Sequence, residues 1–369
     1  MQNKRLFLDI HAIQTLPPSN INRDDTGSPK TAQYGGVTRA RVSSQAWKKA
    51  MRDSFLKESK RTFDVVKLIV KQIQIIDPSL SEEEAIKYSK NIYDLLEIKL
   101  TGKKKKDDPY DKATVLQFIS EKQVKGLAKK ALELSGKKLK GKEKTDTKKD
   151  IVEKFNKDPG IDLALFGRMV AENTDLNIDA SAQVAHAIST HAVQTEFDYF
   201  TAVDDVKEEE GIQGAGMIES KEFNSSTLYR YANVALHELA NQLGSEQQAI
   251  DGARRFIEAF IKSMPTGNIH SFANQTIPEV LMITLREDRP VSLVTAFENP
   301  VKSCGDGYAK ESVKRLVEEY NQVKRFVQDP LFTLYITKDG KALNMDGVKE
   351  NTDSELLNDL VDQLFQESR

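Results

Sequence analysis

Apolar residues recur in two rhythms along this chain. From Arg5 to Gln14 they are nearly continuous, the pattern of a buried strand opening the fold. Pro17, Pro18, Ser19 and Asn20, followed by Asp24 to Pro29, end that strand in a long polar loop. Gly35-Gly36 is a turn signal, and Thr38 to Val42 is a short extended segment. Ser43 or Ser44 is the N-cap of a helix. From about Arg61 to Thr174 the rhythm becomes helical, as in Val65, Val66, Ile69, Val70 and Ile73. This block contains a polar loop at Thr101 to Pro109. It also contains a lysine-rich, glycine-punctuated stretch at Ser135 to Lys149, read as a mobile loop.

Asp179 to Thr195 is predicted as a further helix. Phe197 to Val203 and Thr227 to Val234 alternate as strands. The polar segment between them, Asp204 to Ser226, carries Gly211, Gly214 and Gly216, so the pair reads as an extended hairpin over about 199–226. Glu246 to Met264 is a helix stopped by Pro265. Val280 to Arg286 and Val291 to Phe297 are strands, Ser312 to Val327 a helix, Leu331 to Thr337 a strand and Ser354 to Phe365 a last helix. The order predicts an α+β protein with an RRM-like (ferredoxin-like) sheet. The sheet domain comes from residues 1–60 and 179–369, and a helical insertion occupies 61–178. No internal repeat is visible.

The 369 residues are 39% hydrophobic and 30% charged, enough apolar surface for a core that needs no staple. The lone cysteine, Cys304, excludes an intrachain disulfide and a cysteine-based zinc site, and suits a reducing, cytoplasmic setting. No apolar run reaches membrane-span length and the N-terminus is no signal peptide, so no membrane partner is expected. A net charge of −2 argues by itself against nucleic acid, but the charges are segregated. Positive residues gather in Lys30 to Arg52 and Lys99 to Lys157, and acidic ones in Asp204 to Glu222 and Asp339 to Glu367. Such a chain can hold a polyanion on one side and meet other subunits on the other.

The strongest local signal is the helix after Ser43. At 100° per residue, Gln45, Lys48, Lys49 and Arg52 share a face opposite Ala46, Trp47, Ala50 and Met51. A basic stripe opened by hydroxyls at the positive end of a helix dipole suits phosphate; a solvated amphipathic helix is the other reading. Arg39 and Arg41 alternate toward one side of their strand and extend the same basic surface with Arg23 and Lys30. Asp24 and Asp25 raise Mg²⁺-dependent phosphodiester cleavage, against the commoner reading of two surface acids in a turn. Lys122, Lys125, Lys129 and Lys130 are spaced to share a helix face, with no aromatic among them to stack on bases. The adjacent aromatics Tyr199 and Phe200 are either a wedge against a base or core packing, and spacing alone favours core. His186 and His191 are five apart, a poor spacing for ligands of one ion, and read as core or network residues. No GxSxG, Walker A or strand-linked GxGxxG motif is present. No metal and no cofactor is expected.

The order Asn22-Arg23-Asp24-Asp25, Gly35-Gly36, Arg41-Val42-Ser43-Ser44-Gln45 and Lys48 resembles the CasC backbone subunits of type I-E Cascade, in the Cas-seven branch of the RAMP proteins. The resemblance continues through Ala185 to His191, Tyr199 to Asp205, Tyr229 to Asn233, Ser271 to Ala273 and Ala296 to Glu298. It implies an RRM-like palm, inserted helical fingers and a long β-hairpin thumb. It also implies a CRISPR RNA-binding, non-enzymatic subunit that polymerises head to tail along the guide spacer. Its partners would be CRISPR RNA, target DNA reached through the guide, other copies of itself and other Cascade subunits. Thumbs would kink the RNA at intervals while base pairing reads the target.

Carried over by position, Arg23, Lys30, Ser43, Gln45, Lys48, Lys49 and Arg52 match the surface that holds the RNA backbone. Tyr199, Phe200, Thr201 and Val203 match the thumb beside the displaced base; the family usually has tryptophan where Tyr199 stands. Lys122, Lys125, Lys129 and Lys130 resemble a finger helix that guides duplex DNA, and the loop Thr266 to Phe272 is a further approach to RNA. The alternative is a Mg²⁺-dependent RNA-cleaving backbone subunit of the type III kind, using Asp24 or Asp25.

Overall fold

Every residue from Phe7 to Gln14 is buried, because the first strand, Phe7–Ser19, is covered on both faces. The structure, a computed structural model, describes residues 5–54, 58–102, 108–137, 139–203, 209, 215–303, 305–345 and 349–350. Contrary to the sequence reading, Pro17 and Pro18 do not end this strand. A proline is tolerated where its missing N–H is not needed by the ladder, and both rings lie at the exposed far end. Two compact units share the chain: Phe55–Gln183 with Ala235–Ala253 and Met1–Gln2, and Asn3–Ser54 with Val184–Val234 and Arg254–Arg369. The helical unit therefore takes in a segment, Ala235–Ala253, that lies outside the expected insertion.

The second unit holds the sheet. Its order is Lys349–Glu350, Phe332–Thr337, Val280–Arg286, Phe7–Ser19, Ala215–Ala235, Ala187–Ser189, Val37–Val42 and Thr31–Tyr34. Phe7 to Ile13 pair antiparallel with Arg286 to Val280 without a break. The short strand Lys349–Glu350 is parallel to its neighbour. On one face, Leu316, Val317 and Tyr320 of the helix Ala309–Val323 pack on Ile13, Tyr229, Met282 and Tyr335. That layer encloses a polar cluster: Tyr231 Oη donates to Asp9 at 2.7 Å, and Val291 N donates to the same carboxylate at 3.0 Å. His11 Nδ1 lies 2.9 Å from Tyr229 Oη, which also accepts from Leu293 N at 2.9 Å.

These bonds explain why Val291 to Phe297 is not the expected strand. Its backbone donors go to buried side chains, and only a short 3₁₀ turn forms, at Val294–Phe297. Asp179 to Thr195 is likewise not a helix: Ala187–Ser189 is a strand paired to both Val37–Val42 and Ala215–Ala235. Its alanines favour helix, but strand partners on both sides override that preference.

In the helical unit, Val65–Ile76 presents Val65, Val66, Ile69, Val70 and Ile73 to a core shared with Ile92, Tyr93, Leu127, Ile151 and Phe155. Ser81 and Ser120 each cap a helix reciprocally, with Glu84 and Gln123. Arg168 is buried and donates to the carbonyls of Phe118, Phe155 and Leu176. The lysine-rich stretch expected to be a mobile loop contains instead the start of the helix Gly141–Asn156, anchored by Ile151 and Phe155. The expected helix at 354–365, and most of the loop at 101–109, lie outside the described residues. Among the described residues no helix is long and apolar enough to cross a membrane.

Candidate nucleic-acid interface

The basic helix, Ser44–Ser54, is fixed at its start and along one side. Ser43 Oγ accepts from Ala46 N at 3.3 Å, and Ser43 N donates to Asn22 Oδ1 at 2.8 Å. Trp47 and Met51 are buried, each contributing about 1.5–3 kcal/mol of apolar burial. Trp47 lies under the guanidinium of Arg230, 3.8 Å from the ring centroid, and Phe260 lies against the same group at 4.2 Å. Arg230 also donates to Gln14 and to Phe260 O, and its burial lowers its pKa to about 9. With the apolar side so held, Gln45 and Lys49 face solvent and Lys48 and Arg52 are half-buried. Lys49 is bonded to Asp53 at 2.5 Å, which offsets part of its charge.

The loop before the helix is equally well tied. Asp24 Oδ1 accepts from Thr26 N, Thr26 Oγ1 and Ser28 N, and these bonds hold its carboxyl below the usual range. Lys30 N donates to Asn22 O, and Arg41 N to Lys30 O, both at 2.9 Å. A backbone bridge joins Arg23 and Pro29. Arg23, Lys30, Arg41 and the cap of the basic helix are thus parts of one hydrogen-bonded patch. A groove of about 560 Å³ beside it is lined by Asn22, Arg23, Asp25 and Gly267.

Arg39 does not belong to that patch, against the sequence reading. It is fully buried, donating to the carbonyls of Tyr34, Ser189, Phe297 and Glu298 at 2.8–3.2 Å. Arg41 is half-exposed, donates to Thr31 O at 3.1 Å and lies 3.2 Å from His186 Nδ1. Partial desolvation, then the positive charges of Arg41 and Lys30, lower the pKa of His186. His186 is therefore a neighbour of this cationic cluster, which its place in the sequence did not reveal; only the pairing of Val42 with Ala187 brings it there. His191 is a core residue, stacked on Tyr308 with centroids 3.6 Å apart and accepting from Thr227 N.

The hairpin pairs Glu196–Val203 with Ala215–Phe223. Its second strand thus begins at Ala215, earlier than the expected Thr227, and continues into the main sheet as one element, Ala215–Ala235. At about 3.3 Å per residue, 21 residues span roughly 70 Å, so one strand serves both hairpin and sheet. Tyr199 is not core: it is 66% exposed, and Phe197, two residues earlier on the same face, is 68% exposed. Thr201 follows on that face and is also exposed. Phe200 points to the other face, where Lys221 Nζ lies 5.6 Å from its ring centroid. Val203 pairs with Ala215 beyond a bulge; its side chain lies outside the described residues. At the base, Asn20 Nδ2 donates to Glu222 O at 2.8 Å and to Gly27 O at 2.9 Å, joining hairpin to loop. The segment Thr266 to Phe272 is tied to that loop through Asn268 Nδ2, which donates to Asn20 O at 3.0 Å.

In the helical unit, Lys122, Lys125 and Lys129 lie exposed along Glu121–Glu133, opposite the buried Val124, Leu127, Ala128 and Ala131. Lys130 leaves this stripe. It is turned into ion pairs with Asp150 at 2.5 Å and Glu133 at 3.1 Å, which raise its pKa. Among the described residues no group of three or more His, Cys, Asp and Glu is placed to hold a metal ion.

A model of the family described as CT1975-like protein matches residues 8–363. Among solved structures, a chain of a CRISPR RNA-guided surveillance complex, pre-nicking, is 31% identical with a TM-score of 0.82. The match covers 97% of this chain and 100% of that one. A chain of another CRISPR RNA-guided surveillance complex is 28% identical with a TM-score of 0.71, covering 97% and 99%. No curated protein sequence matches the chain.

Proposed function

The chain belongs to the CT1975-like protein family, and from that premise we propose that it is the guide-RNA-binding backbone subunit of a CRISPR surveillance complex. The observation that carries this reading is the end-to-end likeness to a chain of a CRISPR RNA-guided surveillance complex. In the proposal the complex is of the type I-E Cascade kind and this subunit is of the CasC kind. The sheet unit is an RRM-like palm, the helical unit the fingers and the hairpin the thumb. Several copies stack along the spacer in the cytoplasm, with other Cascade subunits at their ends.

Arg23, Lys30, Arg41, Ser43, Gln45, Lys48, Lys49 and Arg52 hold guide phosphates, with His186 beside them; Arg39 supports the patch from inside. Tyr199, with Phe197 and Thr201 on its exposed face, meets the displaced base, and Phe200 and Val203 complete the thumb. Lys122, Lys125 and Lys129 attract the backbone of duplex target DNA, with Lys130 contributing little because it is already paired. The subunit performs no covalent chemistry in this reading. Asp24 Oδ1 is committed to its own turn.

The test is the nucleic acid that copurifies with the tagged chain when it is expressed with its operon neighbours and a CRISPR array. A discrete RNase-sensitive band of repeat-plus-spacer length is expected. A folded, partner-bound complex without RNA would refute the proposal. Regular Mg²⁺-dependent cuts in a bound target RNA, lost in Asp25→Ala, would replace it with the cleaving alternative.

A further inference from the structure

Lys30 and Arg41 also line a cavity of about 20 Å³, together with Ser19, Asn22, Asn224 and Ser226. Asn224 is 7% exposed, and its Nδ2 is buried with no hydrogen-bond partner among the described residues. A buried amide donor of this kind is rare enough in native proteins to need a reason. Asn224 follows directly on Phe223, the last residue paired across the hairpin, where the long strand passes into the sheet. Its position is pinned by the neighbouring bond from Asn20 Nδ2 to Glu222 O.

The rest of the wall narrows the ligand. Asn22 Oδ1 is engaged by Ser43 N. Ser19 Oγ gives its proton to Pro17 O at 2.9 Å, so toward any other group it is an acceptor. Among its lining side chains the cavity therefore has a donor that lacks an acceptor, on Asn224, and an acceptor, on Ser19, beside the Ser226 hydroxyl, with room for a single water-sized group. Two cations stand beside it. A group that donates and accepts, has the size of one hydroxyl and lies next to a phosphate is the ribose 2′-hydroxyl, which separates RNA from DNA. We infer that Asn224 receives a ribose 2′-hydroxyl of the bound guide, with Ser19 as its acceptor, and so selects RNA over DNA. The inference rests on the guide-binding reading and adds a specificity-determining residue to it.

The test is fluorescence anisotropy of the full chain with single-stranded oligonucleotides of one sequence, made as RNA, 2′-O-methyl RNA and DNA. The unaltered chain is expected to bind RNA about tenfold more tightly than DNA, the size expected for one buried donor gaining its acceptor. The 2′-O-methyl strand is expected to bind no better than DNA, since a methyl group does not fit beside an oxygen in this space. Asn224→Leu is expected to bring RNA down to the DNA level and leave DNA where it was. Equal binding of RNA and 2′-O-methyl RNA by the unaltered chain overturns the inference without reference to any variant. So does an Asn224→Leu chain that keeps its RNA preference. An unaltered chain that binds none of the three strands overturns the guide-binding reading, and the inference with it.

Discussion

A guanidinium inside a protein is tolerated when its donors are matched, and Arg39 matches its own with four backbone carbonyls from three separate stretches of chain. Removing it leaves those carbonyls buried without their donor. Arg39→Ala is expected to lose about 3 kcal/mol in urea unfolding, whereas Arg41→Ala, two residues on and half-exposed, is expected to stay within about 0.5 kcal/mol. A stable Arg39→Ala chain with weakened RNA binding would return this residue to the surface role its spacing predicts. The buried acid and imidazole of the first strand make a second test at this scale. Burial pushes Asp9 up from 3.8 to about 7, and burial, then Arg286, pushes His11 down from 6.5 to about 3. Between pH 4 and 6.5 the folded state keeps a proton on Asp9 that the unfolded chain releases, which lowers stability as pH rises. Over the same window the unfolded chain holds a proton on His11 that the folded state lacks, which raises stability as pH rises. The two slopes oppose each other. Asp9→Asn is therefore expected to gain stability steadily from pH 4 to 6.5, read from chemical denaturation midpoints, where the unaltered chain changes little. A flat profile in Asp9→Asn would count against a neutral buried His11.

At the scale of elements, local signals were legible where no distant partner competes with them. The turn at Gly35-Gly36 closes a two-residue hairpin with φ of 60° and 77°, values that favour glycine. What the sequence does not contain is why Gly35 is needed twice over: a Cβ there would fall 1.6 Å from Glu298 O. Gly35→Ala is thus expected to cost more than its backbone strain alone, about 3 kcal/mol by thermal or urea unfolding, while Gly36→Ala, which meets open space, costs about 1 kcal/mol. The strand Val280–Arg286 and the basic helix stand where their patterns put them. Asp179 to Thr195 has a helical pattern because its alanines carry helical propensity, while the pairing partners that make Ala187–Ser189 a strand lie far away in sequence. The candidate site divides in the same way. The stripe on the basic helix is a local pattern, but burial of Arg39, the ion pairs of Lys130 and the place of His186 depend on residues that only the fold brings near. For Tyr199 spacing alone favours core over a wedge, because spacing cannot tell a strand inside a sheet from a hairpin open on one face.

For the molecule as a whole, a formal net charge of −2 gives little long-range attraction for a polyanion, so affinity must come from local contacts. That makes salt dependence a direct count of phosphates engaged, because each neutralised phosphate releases counterions. Lys48→Ala, Lys49→Ala and Arg52→Ala combined remove three cations from the sheet unit, and the slope of log affinity against log salt for single-stranded RNA is expected to become shallower by about 2. The same three changes at Lys122, Lys125 and Lys129 leave the sheet unit untouched. They are expected to keep the RNA slope and weaken capture of duplex DNA by the assembled complex. A common loss in both assays from either triple would mean that the two basic surfaces act as one. Separate losses would mean that guide and target are held by different units of the chain, which is the division of labour its segregated charge already suggests.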